Sequence, residues 1–196
     1  DNFFKSLLMD NMLMIDIFDR ARKLHIDVEA YRSVLLIEAV EKRHGDIIES
    51  IRNVFRDSNE DFVTAINKKN IIAIKRVDSA ESYDQMETTA RKLQTAISRE
   101  SGENVKISYG SIVADLKDVS NSYKEARMAM DVSRIFYEER TINSYNSLGI
   151  GRLIYQLPLP LCKLFIKEIF GSIAIEDMDT ETITRSEEHT SELQSH

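Results

Sequence analysis

The sequence of 196 residues contains one cysteine, Cys162, two prolines and no tryptophan. A single cysteine cannot form an intrachain disulfide or the paired ligands of a zinc ribbon. No apolar stretch approaches the roughly 20 residues of a membrane-spanning helix, and no basic leader with a cleavage site opens the chain. We therefore expect a cytoplasmic protein that makes no membrane contact.

Basic tracts are also missing. Lysine and arginine number 26 against 33 acidic residues, and the formal net charge is −7. Because contacts to nucleic-acid phosphates need clustered lysine and arginine, this stretch is not expected to bind DNA by itself. Its hydrophobic content of 42% nevertheless suits a folded globular domain.

Both ends of the sequence have unusual features. The chain begins with Asp1 and enters an amphipathic run at once, over residues 3–9, as an internal fragment would. Residues 185–196 have no apolar periodicity and resemble the translation of a sequencing adapter. We expect natural sequence to be missing at both ends and treat 185–196 as an artefact.

Apolar periodicity predicts a regular alternation of helices and strands. Residues 3–24 predict two short helices, the second with a stripe of Ile15, Phe18, Ala21 and Leu24. The continuous apolar run 33–40 predicts a central strand that is covered on its faces. Further along the chain, the patterns predict a helix after Gly45-Asp46, an antiparallel hairpin of strands 62–66 and 71–77, a helix from a Ser79 cap to a Gly102 stop, and a strand at 105–109.

This order of strand, helix, strand, strand, helix, strand predicts an α+β fold. The βαββαβ arrangement forms an antiparallel sheet of four strands with two helices packed on one face. Beyond it, Asp118 is predicted to cap a helix that ends near Tyr137, and residues 141–145 to add an edge strand. Residues 148–171 predict two helices that Pro158 and Pro160 separate.

Spacings typical of catalytic sites are scarce. Phosphate-binding loops, zinc-protease helices and nucleophile elbows have no counterpart in the sequence. The segment Gly149-Ile150-Gly151 has only the beginning of a dinucleotide-binding fingerprint, and the start of a helix is the favoured interpretation. Asp46, Asp115 and Asp118 precede predicted helices and are interpreted as caps.

A few isolated residues have both a structural and a functional interpretation. Glu38, in the first strand, could bind a metal at the sheet edge, but a polar rim position or pairing with a lysine is favoured. His25 and His44 lack partners at ligand spacing. Cys162 lies in an apolar helical stripe and is interpreted as a small core residue. We predict no catalytic residue, no cofactor and no metal site.

Three segments carry a resemblance to a known family. They are residues 105–111 (VKISYGS), 118–126 (DVSNSYKEA) and 145–155 (YNSLGIGRLIY). They resemble bacterial transcription regulators of the carbohydrate diacid and purine catabolism type (CdaR/PucR), and the likeness covers most of residues 3–184. It implies a GGDEF-like domain with the nucleotidyl-cyclase, ferredoxin-like fold, followed by a DNA-binding helix-turn-helix that would lie beyond residue 184.

The resemblance also singles out signature positions and a division of the chain. The signature positions, expected to be structural or to relay a signal, are Tyr109, Gly110, Ser122, Tyr123, Glu125, Ala126 and Gly149. Because Tyr123 and Glu125 are two positions apart on a helix, they point in different directions. We expect Tyr123 to face the sheet and Glu125 to face a neighbouring backbone or cation. The expected segments are a helical segment 1–28, the GGDEF-like domain 29–147 and a helical linker 148–184.

One departure from the related cyclases bears on activity. A working diguanylate cyclase needs a Gly-Gly-Asp/Glu-Glu-Phe turn between its second and third strands, because glycines admit the nucleotide and the acidic residue holds the metal. This sequence has Asn67-Lys68-Lys69-Asn70 there. We therefore predict an inactive scaffold for signal relay or dimerisation.

The sequence leaves two alternatives open beside a regulator that contacts DNA only through the helix-turn-helix. One is a nucleotide-binding or cyclase-like enzyme domain. The other is an interaction module in which the helices of residues 3–24 form a homodimer face. The effector of the regulator is not predicted.

Overall fold

The computed structural model describes residues 2–39, 47–56, 58–67 and 70–170, which contain five strands, seven α-helices and two 3-10 helices of three residues each. The strands are β1 (Arg32–Ala39), β2 (Phe62–Ala65), β3 (Asn70–Arg76), β4 (Val105–Tyr109) and β5 (Ile142–Ser144). The helices are α1 (Asn2–Leu8), α2 (Met14–Lys23), α3 (Ile47–Val54), α4 (Tyr83–Ser101), α5 (Val119–Phe136), α6 (Ile150–Gln156) and α7 (Leu159–Phe170).

The strands form one sheet in the order β2-β3-β1-β4-β5. Strand β1 pairs antiparallel with both β3 and β4, and β2 pairs antiparallel with β3. The predicted α+β fold, the βαββαβ order and the central position of the first strand are confirmed. The predicted edge strand is also present as β5, which pairs parallel with β4 and places Ile142 opposite Ile107.

Helices cover both faces of the sheet because β1 is apolar on both. Leu35 and Ile37 belong to the core beneath α3 and α4, the two helices of the βαββαβ unit. Val34 and Leu36 belong to the opposite core, to which α1, α2 and α5 contribute. The continuous apolar run of β1 therefore reflects burial on both sides.

Helix α2 presents a different face to the core from the one predicted. Ile15 and Leu24 are 64% and 54% exposed, whereas Ile17 and Ala21 are buried. The buried pair is spaced i and i+4, so one row of the helix faces the core. The predicted stripe was wrong except at Ala21 and at Phe18, which is half-buried.

Two residues that were predicted to cap helices make no capping hydrogen bond to them. Helix α4 begins after Ser82, because the Ser79 hydroxyl accepts a hydrogen bond from the Glu81 backbone N–H and closes a turn upstream. Asp118 precedes α5 but makes no capping bond, since its carboxylate pairs with Lys117 at 3.0 Å. The predicted stop at Gly102 is confirmed, with φ of +71°.

The predicted pair of C-terminal helices is present as α6 and α7. Pro158 lies between them and Pro160 lies in the first turn of α7, where a missing backbone N–H costs no helical hydrogen bond. Cys162 of α7 is half-buried, and its Sγ lies 3.9 Å from the Leu157 carbonyl oxygen. The chain divides into two units between Tyr155 and Gln156.

Several sequence predictions lie outside the described residues. They concern His44, Asp46, Lys68, Lys69 and residues 185–196. Within the residues that are described, no helix has both the length and the apolar character needed to cross a membrane.

Candidate functional site at the junction of strand β4 and helix α5

The chain leaves β4 through Gly110, which lies directly against the backbone of α5. A Cβ atom at Gly110 would lie only 2.0 Å from the carbonyl oxygen of Ser122. Side-chain carbons do not approach a backbone oxygen so closely, so the packing of strand on helix requires glycine here.

The Ser122 hydroxyl joins this contact to the central strand. Its Oγ accepts a hydrogen bond from the Val34 backbone N–H at 3.0 Å and donates one to the Ser111 carbonyl oxygen at 2.7 Å. Ser122 and Val34 are both fully buried, so water cannot replace this hydroxyl as the partner of the Val34 N–H.

Three further side chains form hydrogen bonds around the same contact of strand and helix. The Ser33 hydroxyl donates to the Gly110 carbonyl oxygen at 2.9 Å, and the Ser108 hydroxyl donates to the Ala126 carbonyl oxygen at 2.7 Å. The Glu125 carboxylate accepts a hydrogen bond from the Ser111 backbone N–H at 2.7 Å. We call this set the β4–α5 junction: Ser33, Val34, Ser108, Gly110, Ser111, Ser122, Glu125 and Ala126.

Tyr109 extends from the end of β4 to the opposite face of the sheet. It is 3% exposed in the core beneath α4, and its hydroxyl donates to the Glu87 carboxylate at 3.1 Å. Burial, reinforced by the Glu87 charge, raises the pKa of Tyr109 to about 12. Through Tyr109, the strand that carries the junction is also tied to α4.

Replacement of Tyr109 by phenylalanine is expected to reduce the loss of stability at high pH. The folded chain holds the phenolic proton more tightly than the unfolded chain, whose tyrosine pKa is near 10.0, so this contribution is complete below pH 10 and is lost as pH rises toward 12. Urea unfolding should show that wild type loses about 2 kcal/mol more than Tyr109→Phe between pH 9 and 11.5. Tyr31→Phe, at an exposed position, is the control and should behave as wild type.

Tyr123 and Ala126 point from α5 into the core that α1 and α2 share. They are 5% and 0% exposed, and the Arg127 guanidinium lies 5.9 Å from the centre of the Tyr123 ring. Burial raises the pKa of Tyr123. Tyr123 thus lies on the sheet side of α5, and Glu125 contacts the backbone of a neighbouring segment.

Gly149 lies apart from the junction, directly before α6. Its φ of +54° is a left-handed conformation, and a Cβ added there would meet no atom within 4 Å. Two residues on, a Cβ at Gly151 would lie 2.9 Å from a Val132 methyl group, so α6 packs closely on α5. The Tyr155 hydroxyl donates to the Asp131 carboxylate at 2.9 Å, and burial together with that charge raises the pKa of Tyr155.

Sequence reasoning missed Ser33 and Ser108, although both hydroxyls serve the junction. A small hydroxyl residue inside an apolar strand has no distinctive spacing, and its partners lie 77 and 18 positions away in the chain. Glu87 was missed for the same reason, since its link to Tyr109 crosses from a helix to a strand.

Glu38 lies near the end of the central strand β1 and not at an edge of the sheet, and the described residues around it include no carboxylate cluster. Glu38 lies opposite Asn70 of β3 and Lys106 of β4, and its carboxylate pairs with Arg134 of α5. The hairpin residue Asn67 accepts a hydrogen bond from the Asn70 backbone N–H at 2.9 Å through its side chain. Within residues 2–39, 47–56, 58–67 and 70–170, no three histidine, cysteine or acidic side chains come together as metal ligands.

The family model of the GGDEF-like domain matches residues 12–132. The chain belongs to the GGDEF-like domain family. All signature positions except Gly149 lie inside the matched residues of this GGDEF-like domain. Among curated proteins, none matches the sequence significantly.

Two solved structures resemble the GGDEF-like chain. A regulator of polyketide synthase expression from Bifidobacterium adolescentis is 11% identical with a TM-score of 0.54, over 79% of this chain and 57% of that one. The GGDEF domain of DgcB from Caulobacter crescentus, solved with c-di-GMP, is 11% identical with a TM-score of 0.44, over 67% of this chain and 90% of that one. The first likeness is one of fold, and this chain spans little more than half the length of that regulator.

Proposed function

We propose that this GGDEF-like domain is a non-catalytic part of a cytoplasmic transcription regulator of the CdaR/PucR type. The observation that carries the proposal is the set of residues at the end of β1 and in the β2–β3 hairpin, where a cyclase would hold its metal and nucleotide. Glu38 is paired with Arg134, and the hairpin Asn67-Lys68-Lys69-Asn70 contains no carboxylate to hold a metal. The regulator of polyketide synthase expression with a similar fold supports a regulatory role.

The role that fits the contacts is relay of an effector signal, or support of a homodimer. The β4–α5 junction joins α5 to β1 and β4, and Tyr109 adds a link to α4. Helix α5 in turn contacts α6 through Val132 and Asp131. A displacement of α5 would therefore be transmitted to α6, the helix that leads toward the expected DNA-binding segment.

DNA contact is assigned to a helix-turn-helix encoded beyond residue 184. The net charge of −7 gives the present chain no basis for phosphate binding. Sequencing the source gene past Thr184 tests this assignment. A frame that continues for about 70 residues with two helices and basic residues supports it, and a frame that stops at His196 contradicts it.

Incubation with GTP and Mg²⁺ is expected to yield no cyclic dinucleotide and no rise in melting temperature. Without a carboxylate in the hairpin, neither the metal nor the triphosphate has its usual anchor. Product can be measured by chromatography beside an active diguanylate cyclase as the positive control. Turnover that Glu38→Gln abolishes would instead favour the alternative, a nucleotide-binding or cyclase-like enzyme domain.

A further inference from the structure

Strand β2 ends the sheet with a free edge. In the described part of the chain, β2 pairs with β3 alone and is the last strand in the sheet order. The Ile66 backbone N–H donates to the Asn70 carbonyl oxygen, and hydrogen-bonded pairs alternate with non-bonded pairs along an antiparallel ladder. The backbone N–H and carbonyl groups of Val63 and Ala65 therefore point away from β3, toward the free edge.

This edge lacks the features that usually keep a second strand away. Residues Phe62–Ala65 have the sequence FVTA, with no charged residue and no proline. Proteins commonly blunt a free edge with lysine or proline, because its unpaired N–H and carbonyl groups are a template for another strand. Val63 and Ala65 are half-buried and not covered completely. The edge of β2 is therefore able to accept an added strand.

A groove of about 440 Å³ lies at this edge, with apolar walls on both faces of the sheet. On one face α1 lies over the strand, and the ring centres of Phe4 and Phe62 are 4.2 Å apart. On the other face, Phe55 follows α3 and belongs to the same core as Val63. The apolar lining residues that are only partly buried or exposed are Leu24, Ile26, Phe62 and Val63.

The charge that the groove offers to a ligand is positive. The side chain of Asp61 is 1% exposed, and its carboxylate accepts hydrogen bonds from the Lys75 Nζ at 2.7 Å and the Arg76 backbone N–H at 2.8 Å. Arg52, three residues before Phe55, is exposed and lines the groove. A ligand with a carboxylate on the α3 side and apolar groups on the α1 side would match both walls.

We propose that the free edge of β2 binds an extended, acidic and apolar peptide segment of a partner protein as an added antiparallel strand. The peptide residue opposite Val63 exchanges two backbone hydrogen bonds with it. That residue points to the α3 side, where a glutamate or aspartate meets Arg52, and its two neighbours point to the α1 side and are apolar. This inference stands whether or not the domain belongs to a transcription regulator.

A single extended chain fits this edge better than a second folded copy. A copy paired antiparallel through its own β2 would bring its α1 and α3 to the same two faces, beside the α1 and α3 already there. Adjacent strands lie about 4.8 Å apart, whereas packed helices need about 8–10 Å between their axes. Helices over two neighbouring β2 strands would therefore collide, and a peptide without flanking helices meets no such obstacle.

Fluorescence anisotropy of the full chain with the labelled peptide SFEVTS tests the proposal. The peptide has apolar residues for the α1 side and one glutamate for Arg52, and it should bind saturably below about 1 mM. N-methylation of the glutamate nitrogen removes the donor to the Val63 carbonyl oxygen and should weaken binding at least about tenfold. Methylation of the phenylalanine nitrogen, which points away from β2, is the matched control and should leave binding unchanged. Absence of saturable binding, or equal losses in both methylated peptides, would overturn the proposal.

Arg52→Glu tests the charge preference. The variant should bind SFEVTS about fivefold more weakly and should bind the charge-reversed peptide SFKVTS more tightly than wild type does. Arg56→Glu is the matched control, because Arg56 is exposed, bonds to Asn53 and does not line the groove. The same loss of SFEVTS binding in both variants would reduce the effect to general electrostatics and contradict the site.

Val63→Pro tests the added strand from the side of the protein. Proline removes the N–H that faces the free edge and takes no hydrogen bond from β3, and edge strands accept proline at such positions. The variant should unfold cooperatively as wild type does and should not bind SFEVTS. Sedimentation of the unliganded chain completes the test, since a wild-type dimer that Val63→Pro dissociates would place a second copy at this edge and overturn the proposal. If Val63→Pro does not fold, the methylated peptides and Arg52→Glu decide the outcome.

Discussion

Replacement of Gly110 by alanine is expected to lower the free energy of unfolding by about 3 kcal/mol. The added Cβ would lie 2.0 Å from the Ser122 carbonyl oxygen and 2.7 Å from its carbonyl carbon. Both atoms belong to the backbone of α5, so the clash cannot be relieved by rotation of a side chain. Either the helix or the end of β4 must move, and the junction hydrogen bonds would lengthen with it.

Urea unfolding of Gly110→Ala beside Gly102→Ala separates this clash from the general cost of losing a glycine. Gly102 has a φ of +71° but open space around it, so alanine there costs only the left-handed conformation, about 1 kcal/mol. Equal losses in the two variants would show that the close approach at Gly110 is not what requires glycine.

Replacement of Ser122 by alanine is expected to cost about 2–3 kcal/mol. The hydroxyl serves two backbone groups at once, and its loss leaves the buried Val34 N–H and the half-buried Ser111 carbonyl each with one partner fewer. An unpaired buried polar group costs far more than the net gain of an average hydrogen bond, because it has given up water without replacement.

Ser133→Ala is the matched control for Ser122→Ala. Ser133 lies on the same helix and is equally buried, but its hydroxyl donates only to the Met130 carbonyl one turn earlier at 2.8 Å. That carbonyl still accepts a backbone hydrogen bond within the helix, so the free energy of unfolding is expected to fall by less than about 1 kcal/mol. Chemical denaturation measures both variants, and a cost at Ser122 no larger than that at Ser133 would contradict the bridging role.

Both predictions concern residues that the sequence had already singled out by resemblance. The resemblance identified Gly110 and Ser122 as signature positions, and the structure supplies a physical requirement for each: a close approach and a shared hydroxyl. Whether these positions also relay a signal stays a prediction. A variant that keeps the fold but alters regulation would be the evidence for relay.

The burial of Glu103 had no counterpart in the sequence. Glu103 follows a glycine at the end of a helix, where an acidic residue is usually solvated. Its burial depends on how the end of α4 meets the beginning of β4, and neither segment alone contains that information. The pairing of Glu38 with Arg134 is similar, since the two residues are 96 positions apart.

The sequence by itself determined the local elements and their order. A run of apolar residues, a period of three to four, and a glycine with positive φ each act over a few neighbouring residues, so β1, β4, the β2–β3 hairpin and the stop at Gly102 could be predicted. Only the tertiary structure decided the parallel pairing of β5, which helices cover each face of the sheet, the buried row of α2 and the hydroxyl bridges of the β4–α5 junction. These features depend on side chains that meet after distant segments pack, and several arrangements of the same elements satisfy the local pattern equally well.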